Sequence, residues 1–253
     1  MRTAPFPIAI QQVHPSAKPQ EFPGFPRPVR EVHQIEVTSR CNLRCVYCPH
    51  PKMPRPKIDM SWGVFEDALQ LVLHFVKHGT QTELALTGIG EPLMHPTFVE
   101  MVSAARQVVG ERPLTFSTNG ILLDEQMCLR LKPYNPRIYV SMHRPERAGP
   151  AAVLAQKHGI LAGINNAFVT SAFNWGGKVD WHVSAPESVC EYLHSGWCVV
   201  LADGRVTTCC LDSEGTGVVG TVWDAPEALK LSPYSLCSGC HMRVPEATQV
   251  ISA

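Results

Sequence analysis

The sequence predicts an α/β fold: a partial, TIM-like (β/α)6 barrel, then a small C-terminal domain built from a β-hairpin and short helical segments. From residue 32 onward, apolar segments of strand length alternate with amphipathic segments of helix length. This repetition indicates parallel strands joined by right-handed crossovers. Six such units are too few to close an eight-stranded barrel. Cysteine-rich and polar motifs follow the predicted strands, at the end where barrel enzymes place their sites.

Alternation, capping and helical spacing define the first half of the predicted barrel. Residues 32–38 alternate apolar and polar side chains, as a half-buried strand does. Ser61 can cap the following helix and Gly79 can end it. Between them, apolar residues recur at helical spacing: Val64, Phe65, Ala68, Leu71, Val72 and Phe75. Residues 83–86 are the next predicted strand and residues 96–109 the next predicted helix.

The second half of the predicted barrel follows the same pattern. Strands are predicted at residues 114–118 and 137–141, and helices at residues 124–131, where Asp124 is the N-cap, and 151–158. Another strand is predicted within residues 160–169, and a last one at residues 181–184. Residues 1–30 hold seven prolines, which fix φ and remove hydrogen-bond donors, so we expect an extended arm outside any sheet or helix. The predicted domains are therefore 1–30, 31–185 and 186–253.

Composition narrows the class of protein. The chain has 253 residues, with 22 basic and 22 acidic side chains and therefore no net charge. This composition lacks the excess of basic residues that is typical of nucleic-acid-binding proteins. A neutral protein can still carry a local basic patch. No secretory leader and no apolar run of the roughly 20 residues needed to cross a bilayer is found. Ten cysteines in a reducing compartment indicate metal binding. We expect a cytoplasmic, oxygen-sensitive metalloprotein that does not enter membranes.

The most informative motif is a cysteine triplet after the first predicted strand. Cys41, Cys45 and Cys48 have the spacing Cys-x3-Cys-x2-Cys, and Tyr47 precedes the third cysteine. Three thiolates on one loop can bind three irons of a 4Fe-4S cubane and leave the fourth iron open to a substrate. A structural zinc site would need four protein ligands, with Cys-x2-4-Cys pairs set far apart.

This motif resembles the signature of the radical S-adenosylmethionine (SAM) superfamily, in which an aromatic residue precedes the third cysteine. The resemblance implies that SAM chelates the open iron. Reduction then cleaves SAM to methionine and a 5′-deoxyadenosyl radical, which abstracts a hydrogen atom from the substrate. It also implies the partial barrel and an external electron donor such as flavodoxin or ferredoxin.

Further segments resemble the SAM-binding motifs of the same superfamily. Thr87-Gly88-Ile89-Gly90-Glu91-Pro92 is similar to its Gly-Gly-Glu-Pro motif, and Ser117-Thr118-Asn119-Gly120 to its Thr-Asn-Gly turn. Ser141 ends a strand where relatives place a polar residue, and Leu161 lies in a segment that packs on adenine in the family. The resemblance implies these SAM-binding residues: Tyr47, Gly88, Ile89, Gly90, Glu91, Pro92, Ser117, Asn119, Ser141 and Leu161.

A second group of cysteines lies near the C-terminus. Residues 197–201 and 205–208 are predicted arms of a hairpin with Asp203-Gly204 at its turn. The spacing resembles the SPASM and Twitch auxiliary-cluster domains, and the number of thiols suits the single cluster of a Twitch domain. This resemblance implies a second, auxiliary 4Fe-4S cluster with four ligands: Cys190, Cys209, Cys237 and Cys240.

The ligand set leaves alternatives open. Cys210 could replace Cys209, and Cys198 is a further spare thiol; the same four thiolates could also bind structural zinc. Cys128 lies in an apolar helix and is predicted to be a small buried side chain.

The predicted reaction is hydrogen abstraction from a small-molecule substrate, with a two-electron oxidation favoured by an auxiliary cluster. The architecture is similar to that of aminocyclitol dehydrogenases in the superfamily. Alternatives are a peptide-modifying maturase, a redox-neutral rearrangement of a small molecule or modified nucleotide, and a non-enzymatic iron–sulfur or zinc-binding module. A nucleic acid or peptide partner stays open. Candidate proton acceptors are His143, Glu146 and Asp180, and none is assigned a catalytic role.

Overall fold

A central sheet of eight strands organises the protein, a computed structural model that describes residues 24–165, 175–179 and 189–242. The strands are β1 Arg27–Pro28, β2 Glu31–Ile35, β3 Leu84–Ala85, β4 Leu114–Thr118, β5 Arg137–Ser141, β6 Leu161–Asn165, β7 Trp197–Val200, β8 Arg205–Thr207, β9 Val218–Thr221 and β10 Lys230–Leu231. The helices are α1 Trp62–Lys77, α2 Phe98–Val109, α3 Glu125–Leu131, α4 Pro145–Lys157 and α5 Glu191–Ser195. Single 3-10 turns are His50–Lys52, Pro92–Met94, Lys132–Tyr134, Pro226–Ala228 and Ser235–Gly239.

The first five strands of the sheet follow the predicted barrel topology. Strands β2 to β6 lie side by side in chain order and every neighbouring pair is parallel. Helices α1 to α4 supply the crossovers, as parallel pairing requires. The α/β class and the partial barrel are confirmed, and the sheet is not closed among the described residues.

The other flank of β2 is occupied by the C-terminal hairpin. Strand β7 pairs in parallel with β2, so that Ile35 lies opposite Val200, and β8 and β9 continue the sheet in antiparallel order. The predicted hairpin is therefore present, and its first arm also extends the barrel sheet. The predicted strand at residues 181–184 lies outside the described residues.

Capping and apolar spacing determine the helices as expected. The Ser61 hydroxyl accepts a hydrogen bond from the Val64 amide at 3.3 Å, and the Asp124 carboxylate accepts one from the Met127 amide at 2.7 Å. The apolar faces of α1 and α2 pack against the sheet in a single core that includes fully buried Phe65, Phe98 and Phe116. In the described part of the chain, no helix combines the length and hydrophobicity needed to cross a bilayer.

Two local expectations were wrong. Helix α4 begins at Pro145, not at residue 151, and it continues through Pro150. Pro145 is tolerated because it occupies the first turn, where the backbone amide has no hydrogen-bond partner within the helix. The proline-rich arm was expected to stay outside any sheet, but Arg27–Pro28 pairs with β10. A proline is tolerated there because this ribbon has only two strands, and each is an edge strand.

A buried ion pair joins the end of β2 to the C-terminal half of the chain. Both guanidinium NH groups of Arg55 donate to the two carboxylate oxygens of Glu36 at 2.6 Å, and Arg55 Nε donates to the Ser213 carbonyl at 2.7 Å. Glu36 also accepts from the amides of Ile89 at 3.2 Å and Ala202 at 3.3 Å. One carboxylate therefore connects the first barrel strand, the cysteine loop, the loop after β3 and the hairpin.

We predict that Arg55→Ala lowers the free energy of unfolding by about 3–5 kcal/mol, because it leaves the Glu36 carboxylate buried without its counter-ion. Anaerobic urea denaturation measures this change. The matched control is Arg40→Ala, which breaks the partly exposed Arg40–Asp59 pair at 2.6 Å and is expected to cost only about 0–1 kcal/mol. Equal effects of the two substitutions would show that the buried pair has no special role.

Candidate active site

The base of the cysteine loop is closed by hydrogen bonds between its two ends. Thr38 and Asp59 form an antiparallel bridge, and the Thr38 hydroxyl donates to the Asp59 carboxylate at 2.7 Å. The Ser39 amide donates to the Ile58 carbonyl at 2.9 Å, and the Ile58 amide donates back to the Ser39 hydroxyl at 2.8 Å. These bonds fix residues 39–58 as one closed loop, directly after the strand that the ion pair positions.

The glycine motif packs directly on this loop. An added Cβ at Gly90 would overlap the Thr38 carbonyl oxygen and lie 2.6 Å from the Arg40 carbonyl oxygen. An added Cβ at Gly88 would lie 2.6 Å from Glu36 Cβ. Only a residue without a side chain permits such a close approach of two backbones. The glycines therefore seat the motif against the cysteine loop and the ion pair.

Glu91 follows these glycines and is fully enclosed. Its carboxylate accepts hydrogen bonds from the Thr118 hydroxyl and the Asn119 amide at 2.7 Å and from the Leu93 amide at 3.2 Å. Its own amide donates to the Arg40 carbonyl at 2.7 Å. Burial raises the pKa of Glu91 to about 7, although its three hydrogen bonds oppose the shift. Glu91 thus links three loops through its carboxylate and amide.

Two side-chain contacts connect the cysteine loop to later strands. The Asn119 amide nitrogen donates to the Asn42 side-chain oxygen at 2.7 Å, while Asn119 Oδ1 accepts from the Ile121 amide at 3.0 Å. The Tyr47 hydroxyl lies 2.8 Å from His143 Nδ1, beyond the end of β5. The predicted motifs thus meet at the carboxyl ends of the parallel strands.

These loops surround one large cavity of about 410 Å³. Its wall contains Cys41, Cys45 and Cys48 from the cysteine loop, and Cys190, Cys209, Cys210 and Cys240 from the C-terminal group. The two groups of thiols, far apart in sequence, therefore face the same space.

Most of the predicted SAM-binding residues line this cavity: Tyr47, Gly88, Ile89, Gly90, Glu91, Ser117, Asn119 and Ser141. Pro92 lies just behind it in a 3-10 turn. Leu161 is the exception, because it begins β6, whereas Asn165 at the other end of that strand reaches the cavity. The placement of Leu161 does not support the predicted contact with adenine, and Asn165 is the cavity residue of that strand.

The C-terminal thiols surround a second, small cavity beside the first. All four predicted ligands, Cys190, Cys209, Cys237 and Cys240, line this space of about 20 Å³. Cys210 lines the large cavity and is absent from the wall of the small one. The interaction between the Cys209 and Cys210 thiols raises the pKa of Cys209 and lowers that of Cys210.

The two other cysteines lie elsewhere. Cys198 is fully buried in β7, in the sheet beside β2, and Cys128 is fully buried in α3 within the core. Neither lines a thiol cavity.

The thiol groups fit iron–sulfur ligation by their donor chemistry. Burial raises the pKa of Cys41 to about 11, of Cys48 and Cys190 to about 12, and of Cys237 to about 11. Ligation to a cation would stabilise the thiolate form that burial alone disfavours. Backbone amides of Leu43, Leu211 and Met242 already donate to Sγ of Cys41, Cys209 and Cys240 at 3.5, 3.3 and 3.4 Å.

Across residues 24–165, 175–179 and 189–242, no three His, Cys, Asp or Glu side chains converge closely enough to bind one metal ion. The thiolates of a cubane each bind a different iron, so they surround a volume and do not meet at one point.

Among the three candidate proton acceptors, the structure brings His143 to the cavity wall. Burial lowers its pKa, which favours the neutral imidazole. Glu146 is exposed and lies 4.0 Å from Arg144 at the start of α4. Asp180 lies outside the described residues.

The structure also reveals site residues that the sequence did not single out. The Tyr192 hydroxyl donates to the Gln34 side-chain oxygen, and both residues line the large cavity. Glu36 and Arg55 position the cysteine loop. The sequence did offer two signals: a charged residue directly after an apolar strand, and an arginine between two prolines. Neither signal indicates that these two residues form an ion pair with each other.

We predict that Gly90→Ala lowers the amount of iron retained after anaerobic reconstitution, because the new methyl group displaces the glycine motif from the cysteine loop. Gly63→Ala is the matched control, since nothing lies within 4 Å of a Cβ at that helical position. Iron and sulfide analysis of both variants checks the result. Full iron retention by Gly90→Ala would contradict the close packing described for this residue.

Comparison with known proteins places this geometry in a family. A sequence model of the Radical SAM superfamily matches residues 35–164, from the last residue of β2 almost to the end of β6. Bovine molybdenum cofactor biosynthesis protein 1 is 36% identical over 138 residues, which are 53% of this chain and 21% of the bovine protein. GTP 3′,8-cyclase of Pseudomonas savastanoi pv. phaseolicola is 34% identical over 139 residues, which are 53% of this chain and 40% of the cyclase. The matches thus span less than half of these relatives.

Solved structures share the fold at low sequence identity. BtrN in complex with AdoMet and 2-DOIA has a TM-score of 0.65 and 19% identity, over 78% of this chain and 80% of BtrN. The anSMEcpe protein with bound AdoMet and Cp18Cys peptide has a TM-score of 0.56 and 15% identity, over 86% of this chain and 84% of that one. These likenesses show the shared fold, and the family match over half of its length shows that the chain belongs to the Radical SAM superfamily.

Proposed function

We propose that this enzyme oxidises a small-molecule substrate bound between two iron–sulfur clusters. In this proposal, Cys41, Cys45 and Cys48 hold the 4Fe-4S cluster that binds SAM, and Cys190, Cys209, Cys237 and Cys240 hold an auxiliary 4Fe-4S cluster. The single observation that carries the proposal is that thiols of both groups line the same cavity of about 410 Å³.

The residues of the first site divide into those that face the cavity and those that position them. Bound at the cysteine triplet, a 4Fe-4S cluster with SAM supplies the electron for reductive cleavage of SAM and thereby the 5′-deoxyadenosyl radical. Gly88 to Glu91 form the wall next to the triplet, and Ser117 and Ser141 present hydroxyls to the same space. Tyr47 faces it too, and its contact with His143 holds the third-cysteine segment against the end of β5.

The auxiliary thiols favour oxidation over a redox-neutral reaction. Removing a hydrogen atom from a substrate leaves a radical, and a two-electron oxidation requires that its remaining electron leave. Cys190, Cys209 and Cys240 lie in the wall of the substrate cavity itself, so an electron acceptor bound by them would be within direct reach of the substrate. Zinc at the same thiols could not accept an electron.

His143 is the residue that we propose to accept the proton of a substrate hydroxyl. Oxidation of an alcohol releases a proton, and the acceptor must lie within hydrogen-bond reach of the substrate. The His143 ring lies in the cavity wall, and its lowered pKa keeps it neutral near pH 7. Its Nδ1 lies 2.8 Å from the Tyr47 hydroxyl, which orients the ring in the cavity wall.

A second candidate function is a redox-neutral rearrangement of a nucleotide. The observation that favours it is the similarity to GTP 3′,8-cyclases, at 34% identity over 139 residues. That match covers 53% of this chain, so sequence similarity to the cyclases is shown for about half of it. A peptide substrate is a weaker candidate, because it rests only on the shared fold with the peptide-bound anSMEcpe structure.

We predict that the anaerobically reconstituted protein, given a reductant and SAM, releases 5′-deoxyadenosine and contains about eight irons per chain, as two 4Fe-4S clusters require. Cys45→Ala is expected to abolish 5′-deoxyadenosine release and reduce iron to about four per chain, because one thiolate of the SAM-binding cluster is lost. Cys237→Ala is expected to lose the auxiliary cluster while retaining some SAM cleavage. Cys128→Ala is the control, since this core thiol lines neither cavity.

The substrate is then sought by transfer of deuterium from labelled candidates into 5′-deoxyadenosine. A product lighter than the substrate by two hydrogen atoms supports oxidation. A product with the same mass as the substrate supports rearrangement. Iron of about four per chain in the wild type, together with bound zinc, would refute the auxiliary cluster and leave SAM cleavage standing.

A further inference from the structure

A buried tyrosine hydroxyl lies beside the C-terminal thiols without a partner. The Tyr234 hydroxyl oxygen is inaccessible to solvent, and within residues 24–165, 175–179 and 189–242 it has no hydrogen-bond partner. Burial raises the pKa of Tyr234 above its ordinary value. Neighbouring charges raise it further, and they come from Cys209, which acts most strongly, and from Asp212 and Cys237. The hydroxyl therefore keeps its proton, and a buried donor of this kind costs free energy unless an acceptor is supplied.

The ring of Tyr234 is fixed in place by a glycine and by the turn that carries a predicted ligand. An added Cβ at Gly217 would lie 2.5 Å from Tyr234 Cζ, the ring carbon that bears the hydroxyl. The Gly217 amide donates to Asp212 Oδ2 at 2.8 Å, and its carbonyl accepts from the Thr208 amide at 3.1 Å. The Tyr234 carbonyl accepts from the Cys237 amide at 2.9 Å. The hydroxyl therefore has a defined position next to the thiols.

The carboxylate of Asp212 is not the missing acceptor. Its Oδ2 accepts from the Thr207 hydroxyl at 2.6 Å and from the Gly217 amide at 2.8 Å. Its Oδ1 accepts from the Thr216 amide at 3.0 Å and from the Thr216 hydroxyl at 3.2 Å. A carboxylate accepts about four hydrogen bonds, so these donors fill it. The neighbouring thiols are then the acceptors that remain for Tyr234.

We propose that the Tyr234 hydroxyl donates a hydrogen bond to Cys209 Sγ when the auxiliary cluster is bound, and thereby raises the reduction potential of that cluster. A donor to a ligand sulfur stabilises the reduced cluster, which carries more negative charge. The Leu211 amide already donates to Cys209 Sγ at 3.3 Å, so the tyrosine is a second donor to the same ligand.

This inference rests on the proposed function, in which the auxiliary cluster takes up the electron left on the substrate radical. In that step, the radical formed by hydrogen abstraction loses a proton to His143 and one electron to the oxidised cluster, and a carbonyl product results. A higher reduction potential of the cluster favours this transfer. Tyr234 therefore acts through the cluster and does not touch the substrate.

A purely structural role is the competing explanation for Tyr234. In that case the ring only fills the space above Gly217, and a phenylalanine ring fills the same space equally well. Removing the hydroxyl would then leave both the iron content and the reduction potential of the protein unchanged. The reduction potential therefore separates the two explanations.

The test is an anaerobic redox titration of the reconstituted protein, followed by the EPR signal of the reduced cluster. Tyr234→Phe and its parent both carry Cys45→Ala, which is expected to leave the auxiliary cluster as the single source of the signal. At a fixed ambient potential, we expect Tyr234→Phe to lower the ratio of reduced to oxidised cluster by about tenfold, because the reduced state loses a hydrogen bond. For a one-electron couple, this is a shift of about 59 mV to more negative potential.

The matched control is Tyr139→Phe in the same Cys45→Ala protein. It removes the same atom from a ring in β5 that is 37% exposed and lines neither thiol cavity, so it should leave the reduction potential unchanged. An unchanged or more positive potential in Tyr234→Phe, or an equal shift in Tyr139→Phe, overturns the proposal. Loss of iron from Tyr234→Phe also overturns it, because the hydroxyl then serves to retain the cluster. A parent protein without iron would instead refute the auxiliary cluster, and with it both the proposed oxidation and the role of Tyr234.

Discussion

The ion pair between Glu36 and Arg55 is the constraint on which the rest of the site depends. A bidentate pair with both distances at 2.6 Å holds the first residue after β2, and the same carboxylate accepts amides from the loop after β3 and from the C-terminal hairpin. Burying two charges costs desolvation free energy. The short bidentate geometry and the additional hydrogen bonds to Glu36 and Arg55 offset that cost. Three segments distant in sequence are thereby fixed around one carboxylate, and the two groups of thiols are positioned by those segments.

Around this pair, the loops of the site are supported mainly by each other. Gly88 and Gly90 are needed because Glu36 and the cysteine-loop backbone occupy the space a side chain would take. Glu91 then connects to the turn after β4 through Thr118 and Asn119. Motif residues that the superfamily resemblance assigns to SAM therefore also have a structural task in this chain. A substitution among them changes the shape of the cavity as well as its contacts.

The sequence predicted the fold well because the signals were local. Alternation placed β4 and β5 at residues 114–118 and 137–141, as observed, and Ser61 and Asp124 cap their helices. The motifs could be expected to lie close together because the carboxyl ends of parallel strands are at the same edge of the sheet. The pairing of Glu36 with Arg55 could not be predicted, because the two residues are 19 positions apart in sequence. Their contact depends on the path of the loop between them. Local signals predicted strand β7 as a hairpin arm, but not its parallel pairing with β2, which lies far away in sequence.

The central claim is that two metal clusters face one substrate cavity, one on the cysteine loop and one on the C-terminal thiols. Anomalous diffraction at the iron edge, from crystals grown without oxygen, tests it directly. The account predicts two iron peaks, one beside Cys41, Cys45 and Cys48 and one among Cys190, Cys209, Cys237 and Cys240, with the cavity between them. Absence of the first peak, or an iron-free second site, would contradict it.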